Sequence, residues 1–311
     1  MLDKYDITQN NTGGNMATVL TFDVGGTRIK YALITDQREI IEKHATDTPD
    51  NSQEFWQTID HVIDGYISRI DGIAFSVPGR VDIENGIIYL GGTLTYLKDV
   101  YIKKRLFEKY SVPIAVVNDG KAAALAELWH GSLKNVKNGA TIVLGTGVGG
   151  GLILDGKLRN GSHFQAGELS FMMLNQNDKN FMRTGGHLGS AVAMIATVNK
   201  AVGNADEKDG KQAFCAINEK NPKAVKIFES YCRSVAQIIL NVHTTLDLEC
   251  FAIGGGISSQ PILVDEINRQ YDILLDEDEV TKHILTRPKI VPTTFKNDAN
   301  LFGALYQLLH S

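Results

Sequence analysis

Four glycine clusters carry the strongest chemical signal in this 311-residue chain: Asp23-Val24-Gly25-Gly26-Thr27-Arg28, Gly145-Thr146-Gly147-Val148-Gly149-Gly150-Gly151, Gly254-Gly255-Gly256 and Gly91-Gly92. Glycine lets backbone N–H groups approach a phosphate with no Cβ in the way. A tight hairpin turn accounts for any one cluster equally well, but three at strand ends in one chain favour phosphate binding. Residues 145–150 match G-x-G-x-x-G, yet a dinucleotide turn must lead into a helix whose N-terminus faces the pyrophosphate. Here Leu152-Ile153-Leu154 follows, a β pattern closed by an Asp155-Gly156 turn. No Gly-Lys-Ser/Thr ends the loop, so it is no P-loop, and protein-kinase signatures are absent. A hairpin loop of this kind, once in each half of the chain, points to a nucleotide held between two domains.

Acidic residues supply the complementary chemistry. Transfer of a phosphoryl group to an alcohol needs a positioned hydroxyl, a base for its proton and stabilisation of phosphate charge. Asp119 ends an apolar stretch and starts an alanine-rich one, where a side chain can point into a cleft as a base. A plain helix N-cap fits the same position. Asp23 precedes the first glycine turn, where an Asx contact would stabilise the turn. Arg28 and Lys30 add positive charge there, or are solvated strand residues. Glu168, in Ala166-Gly167-Glu168-Leu169-Ser170, has by itself no reason to be more than surface.

The elements that must hold these residues alternate along the chain. Residues 18–36 read as two apolar strands around a glycine turn, and 38–48 as a third strand. Residues 52–68 read as a helix, with Phe55, Ile59, Val62, Ile63 and Tyr66 near helical spacing. A short buried strand at 72–79 ends in Pro78-Gly79. A helix over about 99–110 precedes a strand at 113–119 and a helix at 121–131, closed by Gly131. Residues 140–158 repeat the strand, glycine turn, strand pattern of 18–36. Helices dominate from about 186 to 246, and 249–260 reads as strand, glycine turn and helix start, with Pro261 suited to a first helical position. A strand at 289–295 and a helix at 298–310 complete an α/β architecture. The expected division is a small domain of residues 18–119 plus 298–311 and a larger one of residues 120–297. The polar residues 1–17 read as a disordered leader, with Met16 an alternative start to Met1.

Composition narrows the class. Lys and Arg number 31 against 36 Asp and Glu, a net charge of −5, with a pI near 5.9. Nucleic acid and anionic membranes call for a basic face, so neither is an expected partner. Cys215, Cys232 and Cys250 form no C-x-x-C pair and no disulfide framework, which fits a reducing, cytoplasmic home. No apolar run approaches the ~18 residues of a membrane span, and the N-terminus lacks a signal-peptide pattern.

In their order, DVGGTRIKYAL (23–33), SVPG (76–79), VVNDGKAA (116–123), LGTGVGGG (144–151), AGELS (166–170) and FAIGGGIS (251–258) resemble the motifs of ROK-type sugar kinases. The resemblance covers residues 18 to 310. It implies the two-lobed actin-like ATPase (ribonuclease H-like) fold with the active site in the inter-domain cleft. It further implies transfer of the ATP γ-phosphate to a sugar hydroxyl, with Mg²⁺, and a homodimer. By that resemblance Asp119 is the catalytic base, and Gly79, Gly92, Asn118, Asp119 and Glu168 bind the sugar. Asp23 is associated with magnesium through water. Gly25, Gly26, Thr27, Arg28 and Lys30 meet the phosphates from one domain, Gly145, Thr146 and Gly147 from the other, and Gly254, Gly255 and Gly256 flank the adenosine.

The chain departs from the family at one place. Many members have a zinc site made of a histidine three residues after the Glu168-type carboxylate and a cysteine cluster. Phe171 stands at the first position, and the segment up to Ala191 contains no cysteine. His187 alone cannot supply the four ligands of a structural site, so no zinc is expected. Fewer polar contacts near the anomeric oxygen, and an apolar wall instead, would tolerate a bulky group there. The chain thus resembles the zinc-free branch that includes β-glucoside kinases. The expected acceptor is the 6-hydroxyl of a glucose-type sugar, including β-glucosides such as cellobiose. The alternatives are N-acetylmannosamine or another N-acetylhexosamine. A sugar-responsive transcription regulator is disfavoured, because only about 17 polar residues precede the first strand.

Overall fold

The structure is a computed structural model that describes residues 16–177 and 179–311. The leader expected at 1–17 lies outside them apart from Met16 and Ala17. The chain divides into two compact units. One holds the residues up to Trp129 together with Asn160–Gln165 and Asp298–Ser311, and the other holds His130–Arg159 and Ala166–Asn297.

The first unit is built on alternating apolar strands joined by the first glycine turn. Strands β1 (Thr18–Val24) and β2 (Arg28–Thr35) form an antiparallel hairpin, and β3 (Ile40–Asp47) adds to its edge. Helix α1 (Ser52–Tyr66) is capped by Asn51, whose side chain accepts the Glu54 N–H at 3.0 Å. Its buried face carries Phe55, Trp56, Ile59, Val62 and Ile63. Strand β4 (Gly72–Val77) is buried along its whole length and lies parallel to β1, as expected of a strand covered on both faces.

Next come β5 (Arg80–Asp82), β6 (Ile87–Leu90) and β7 (Lys98–Tyr101), a separate antiparallel sheet. The sequence reading missed this sheet and began the next helix at about 99; helix α2 in fact spans Ile102–Tyr110. Strands of three or four residues are too short to show a period. Strand β8 (Ile114–Asn118) completes the first sheet, ordered β3-β2-β1-β4-β8, and runs straight into helix α3 (Asp119–His130). Residues Gly120 through Glu127 of α3 are all buried, which is why the helix is alanine-rich and only weakly amphipathic.

The second unit repeats the plan. Strands β9 (Gly139–Leu144) and β10 (Val148–Leu154) form a hairpin about the second glycine turn, and β11 (Lys157–Leu158) extends its edge. Helices α4 (Gly185–Leu188), α5 (Ala191–Val202), α6 (Gly210–Asn218) and α7 (Pro222–Leu246) follow. Strand β12 (Cys250–Gly255) lies parallel to β9, and β13 (Lys289–Pro292) parallel to β12, giving the order β11-β10-β9-β12-β13. Helix α8 (Pro261–Asp276) opens on its proline, and α9 (Glu279–Ile284) follows it. The core of this unit is formed by the inner faces of α5, α7 and α8 and the buried strands, with Phe228, Val235, Ile239, Phe251 and Tyr271 at its centre. The last helix, α10 (Ala299–Leu309), returns to the first unit and packs on β1, β4 and β8. Two sheets of one plan, each a glycine-turned hairpin extended by parallel strands, make this the actin-like ATPase fold. Among the described residues no helix is long and apolar enough to cross a membrane.

Candidate active site

The junction of β8 and α3 concentrates the polar chemistry of the first unit. Asn118 is buried, and its Oδ1 accepts the Lys121 N–H at 3.2 Å. The side-chain cap of α3 is therefore Asn118 and not Asp119. The Asn118 amide donates to the Gly79 carbonyl at 2.8 Å and to Asp119 Oδ1 at 2.9 Å. Asp119 Oδ1 also accepts the Gly120 N–H at 2.8 Å. Two N–H donors and a helix N-terminus together favour negative charge at that carboxylate.

Gly79 has φ +87°, and a Cβ there would lie 1.9 Å from the Leu90 carbonyl oxygen and 2.5 Å from the Gly92 nitrogen. Only glycine fits, so the Pro78-Gly79 and Gly91-Gly92 segments meet side by side at Asn118. Gly79, Gly92, Asn118 and Asp119, the sugar-binding set expected of this unit, are gathered at one place. Lys121 is 1% exposed, and its ammonium donates to the carbonyls of Phe164 at 2.8 Å and Asn160 at 3.5 Å. Sequence reading passed over Lys121, because nothing in an alanine-rich helix announces a cation buried against a segment about forty residues away.

Gly25, Gly26 and Thr27 form the turn between β1 and β2, held by Gly25 N–H to the Arg28 carbonyl at 3.0 Å and the Thr48 hydroxyl to the Gly25 carbonyl at 2.7 Å. Gly26 and Thr27 are exposed. Asp23 is 7% exposed, and its register partner is Lys30. Lys30 Nζ lies 3.1 Å from Asp23 Oδ2, and Asn300 of α10 donates to Oδ1 at 2.9 Å. Asn300 was not foreseen, since it sits 277 positions from its partner. Arg28 lies 3.9 Å from Asp47 on the exposed edge of the hairpin.

A magnesium ion retains much of its water and takes one or two protein carboxylates besides substrate phosphates. Asp23, whose oxygens already accept from Lys30 and Asn300, fits such an ion through water. Among the described residues no group of three or more His, Cys, Asp and Glu side chains gathers to hold a metal.

In the second unit, Gly145, Thr146 and Gly147 turn the β9–β10 hairpin, closed by Gly145 N–H to the Gly147 carbonyl at 3.0 Å. Gly255 pairs with Leu144 in the parallel register, so Gly254, Gly255 and Gly256 emerge beside the Gly145 turn at one end of the sheet. Glu168 is anchored to the same hairpin. Ser170, two residues on, accepts the Val148 N–H at 2.9 Å and donates to the Val148 carbonyl at 3.1 Å. Phe171 is 71% exposed at the end of a short 3-10 turn. The His187 ring packs edge-on against Phe181 at 6.2 Å.

The ROK family model matches residues 19–310. The β-glucoside kinase of Listeria monocytogenes is 25% identical over 296 residues, 94% of this chain and 97% of that protein. The N-acetylmannosamine kinase of Vibrio cholerae is 28% identical over 305 residues, 93% of this chain and 98% of that protein. A ROK family protein from Streptococcus pneumoniae, solved in complex with sucrose, is 29% identical with a TM-score of 0.83, covering 94% of this chain and 98% of its own. The motif order read from the sequence, the paired sheet plan and the match across nearly the full length lead to one conclusion: the chain belongs to the ROK family.

Proposed function

We propose that this protein is an ATP-dependent sugar kinase that transfers the γ-phosphoryl group to the 6-hydroxyl of a glucose-type sugar, a β-glucoside such as cellobiose or glucose itself. The observation that carries the reading is the Asn118–Asp119 pair, a carboxylate fixed at a helix N-terminus beside Gly79 and Gly92. Asp119 accepts the hydroxyl proton as the alcohol oxygen attacks the γ-phosphorus in line. Both N–H groups of Asn118 are bound to protein acceptors, so its main part is to aim Asp119, with one lone pair of Oδ1 left for a sugar hydroxyl. Glu168 binds sugar hydroxyls.

Gly25, Gly26, Thr27, Arg28 and Lys30 bind the phosphates, as do Gly145, Thr146 and Gly147; Gly254, Gly255 and Gly256 flank the adenosine. When bound, magnesium neutralises phosphate charge, with Asp23 as its outer carboxylate. The reading includes no zinc site. A cytoplasmic homodimer belongs to the same proposal; the cysteines form no disulfide among the described residues, which suits a reducing compartment.

A second reading, an N-acetylmannosamine kinase, is favoured by the 28% identity to the Vibrio cholerae enzyme. An ADP-release assay on the purified protein with cellobiose, glucose, N-acetylmannosamine and N-acetylglucosamine separates them. Turnover of cellobiose or glucose is expected. Robust turnover of N-acetylmannosamine with neither of those would establish the second reading, and no turnover with any sugar would remove the kinase reading.

A further inference from the structure

Lys121 is a buried cation for which the proposed chemistry has no use. Burying an ammonium costs several kcal/mol unless its hydrogen bonds are replaced. Here they go to a short segment, Asn160–Gln165, that joins the first unit from far along the chain. The carbonyl it holds at 2.8 Å belongs to Phe164, whose φ of +60° is the left-handed backbone that bulky residues avoid. Lys121 thus holds the carbonyl of a strained residue, the one that carries the Phe164 ring.

That ring lies 6.3 Å from the Tyr89 ring, tilted by 31°. The Arg80 guanidinium lies over the other aromatic, 4.8 Å from the Tyr89 centroid. Arg80 follows Gly79 and sits at a register shift between Arg80 and Val81, the kind of bulge that re-aims a side chain. Its Nε is buried and has no hydrogen-bond partner among the described residues. Tyr89 is tethered in turn, its hydroxyl donating to Asp82 at 3.4 Å. Both ends of this arrangement are tied to the proposed catalytic pair: Gly79 through Asn118, and Phe164 through Lys121, two residues beyond Asp119.

We infer that Arg80, Tyr89 and Phe164 form a ledge that receives the second pyranose ring of a disaccharide acceptor, with Lys121 as its positioning residue. The inference rests on the sugar-kinase reading. The C–H face of a pyranose is apolar and matches a half-buried aromatic surface, while the ring hydroxyls can accept from the half-buried Arg80 guanidinium.

Initial rates with glucose and cellobiose on wild type, Phe164→Ala, Phe164→Tyr and Lys121→Met test it. The cellobiose-to-glucose ratio of kcat/KM is expected to fall at least tenfold in Phe164→Ala and Lys121→Met, and to stay within twofold of wild type in Phe164→Tyr. A ratio unchanged in Phe164→Ala would overturn the ledge, whether or not Lys121→Met folds. So would a wild-type protein that phosphorylates glucose and rejects cellobiose, which leaves the kinase reading standing. If wild type turns over neither sugar, the glucose-type acceptor reading fails by itself, and turnover of an N-acetylhexosamine decides whether the kinase reading stands. The ledge is then judged by saturation-transfer NMR with cellobiose: a signal present in wild type and lost in Phe164→Ala supports it, and any other pattern overturns it.

Discussion

Asn118 holds Asp119: the amide of one lies 2.9 Å from Oδ1 of the other, while the same Asn118 side chain caps α3 and grips the Gly79 carbonyl. The two residues should therefore fail in different ways. Asp119→Asn removes the proposed base and little else, so kcat is expected to drop about 10³-fold or more, at the upper end of what a general base contributes, with sugar binding retained by calorimetric titration. Asn118→Ala should cost about 1 kcal/mol of stability through the lost cap and lower kcat less. Unchanged turnover in Asp119→Asn would remove the residue from its role.

Helix α3 is also fixed from its other side. A Cβ at Gly303 would lie 1.9 Å from the Ala122 carbonyl oxygen, so α10 and α3 touch backbone to backbone only three residues past Asp119. Gly303→Ala must push the helices apart. We expect a loss of about 1–3 kcal/mol, the usual cost of overpacking, together with a fall in kcat as α3 moves. At Gly65, near the end of α1, the same added carbon would meet open space beyond its own helical turn. Gly65→Ala should raise stability by about 0.5–1 kcal/mol. Urea melts of the two variants check the contrast, and equal effects would contradict it.

The Asp23 carboxylate is gripped by Lys30 and Asn300. If it carries the outer shell of the metal, Asp23→Ala should raise the Mg²⁺ concentration for half-maximal rate by about tenfold, the lower end of what outer-shell partners contribute. Asn300→Ala, which frees one oxygen and leaves the charge, should shift it less. Rates titrated with Mg²⁺ at fixed ATP measure both, and a Mg²⁺ dependence unmoved in Asp23→Ala would exclude the carboxylate from that shell.

What the sequence disclosed and what it hid divide along physical lines. The two hairpins were legible because each is a local pattern, apolar strands about a glycine turn, and β8 into α3 because an apolar run meets an alanine run at Asn118-Asp119. The β5–β7 sheet was not, since its strands are three or four residues long. Nor were Asn300 at Asp23, Lys121 at Phe164, or Tyr89 beside Phe164. Each joins residues that only the folded chain brings together, and no spacing rule reaches across such separations. That Asn118 and not Asp119 caps α3 was hidden for a subtler reason: Asn and Asp are adjacent and both are good caps, so only the geometry separates them.

Asp82 ties the small sheet to pH. Burial opposes its charge, but the Asn85 N–H, the Asn85 side-chain amide, the Glu84 N–H and the Tyr89 hydroxyl outweigh burial and hold its carboxyl below the ordinary range. A carboxyl whose pKa is depressed by folding contributes stability that is fully present above its unfolded value of about 4 and is lost as pH falls through the folded value. Wild type should therefore lose stability as pH drops below about 4. Asp82→Asn, which weakens this set of charged hydrogen bonds, should be about 2 kcal/mol less stable at pH 7 and should show a shallower loss below pH 4. Because Tyr89 then loses part of its tether, the variant should also discriminate less in favour of cellobiose. Urea midpoints at pH 7 and pH 3 decide the first point; a variant whose midpoint falls as steeply as that of wild type between those values would show that Asp82 is not the group responsible.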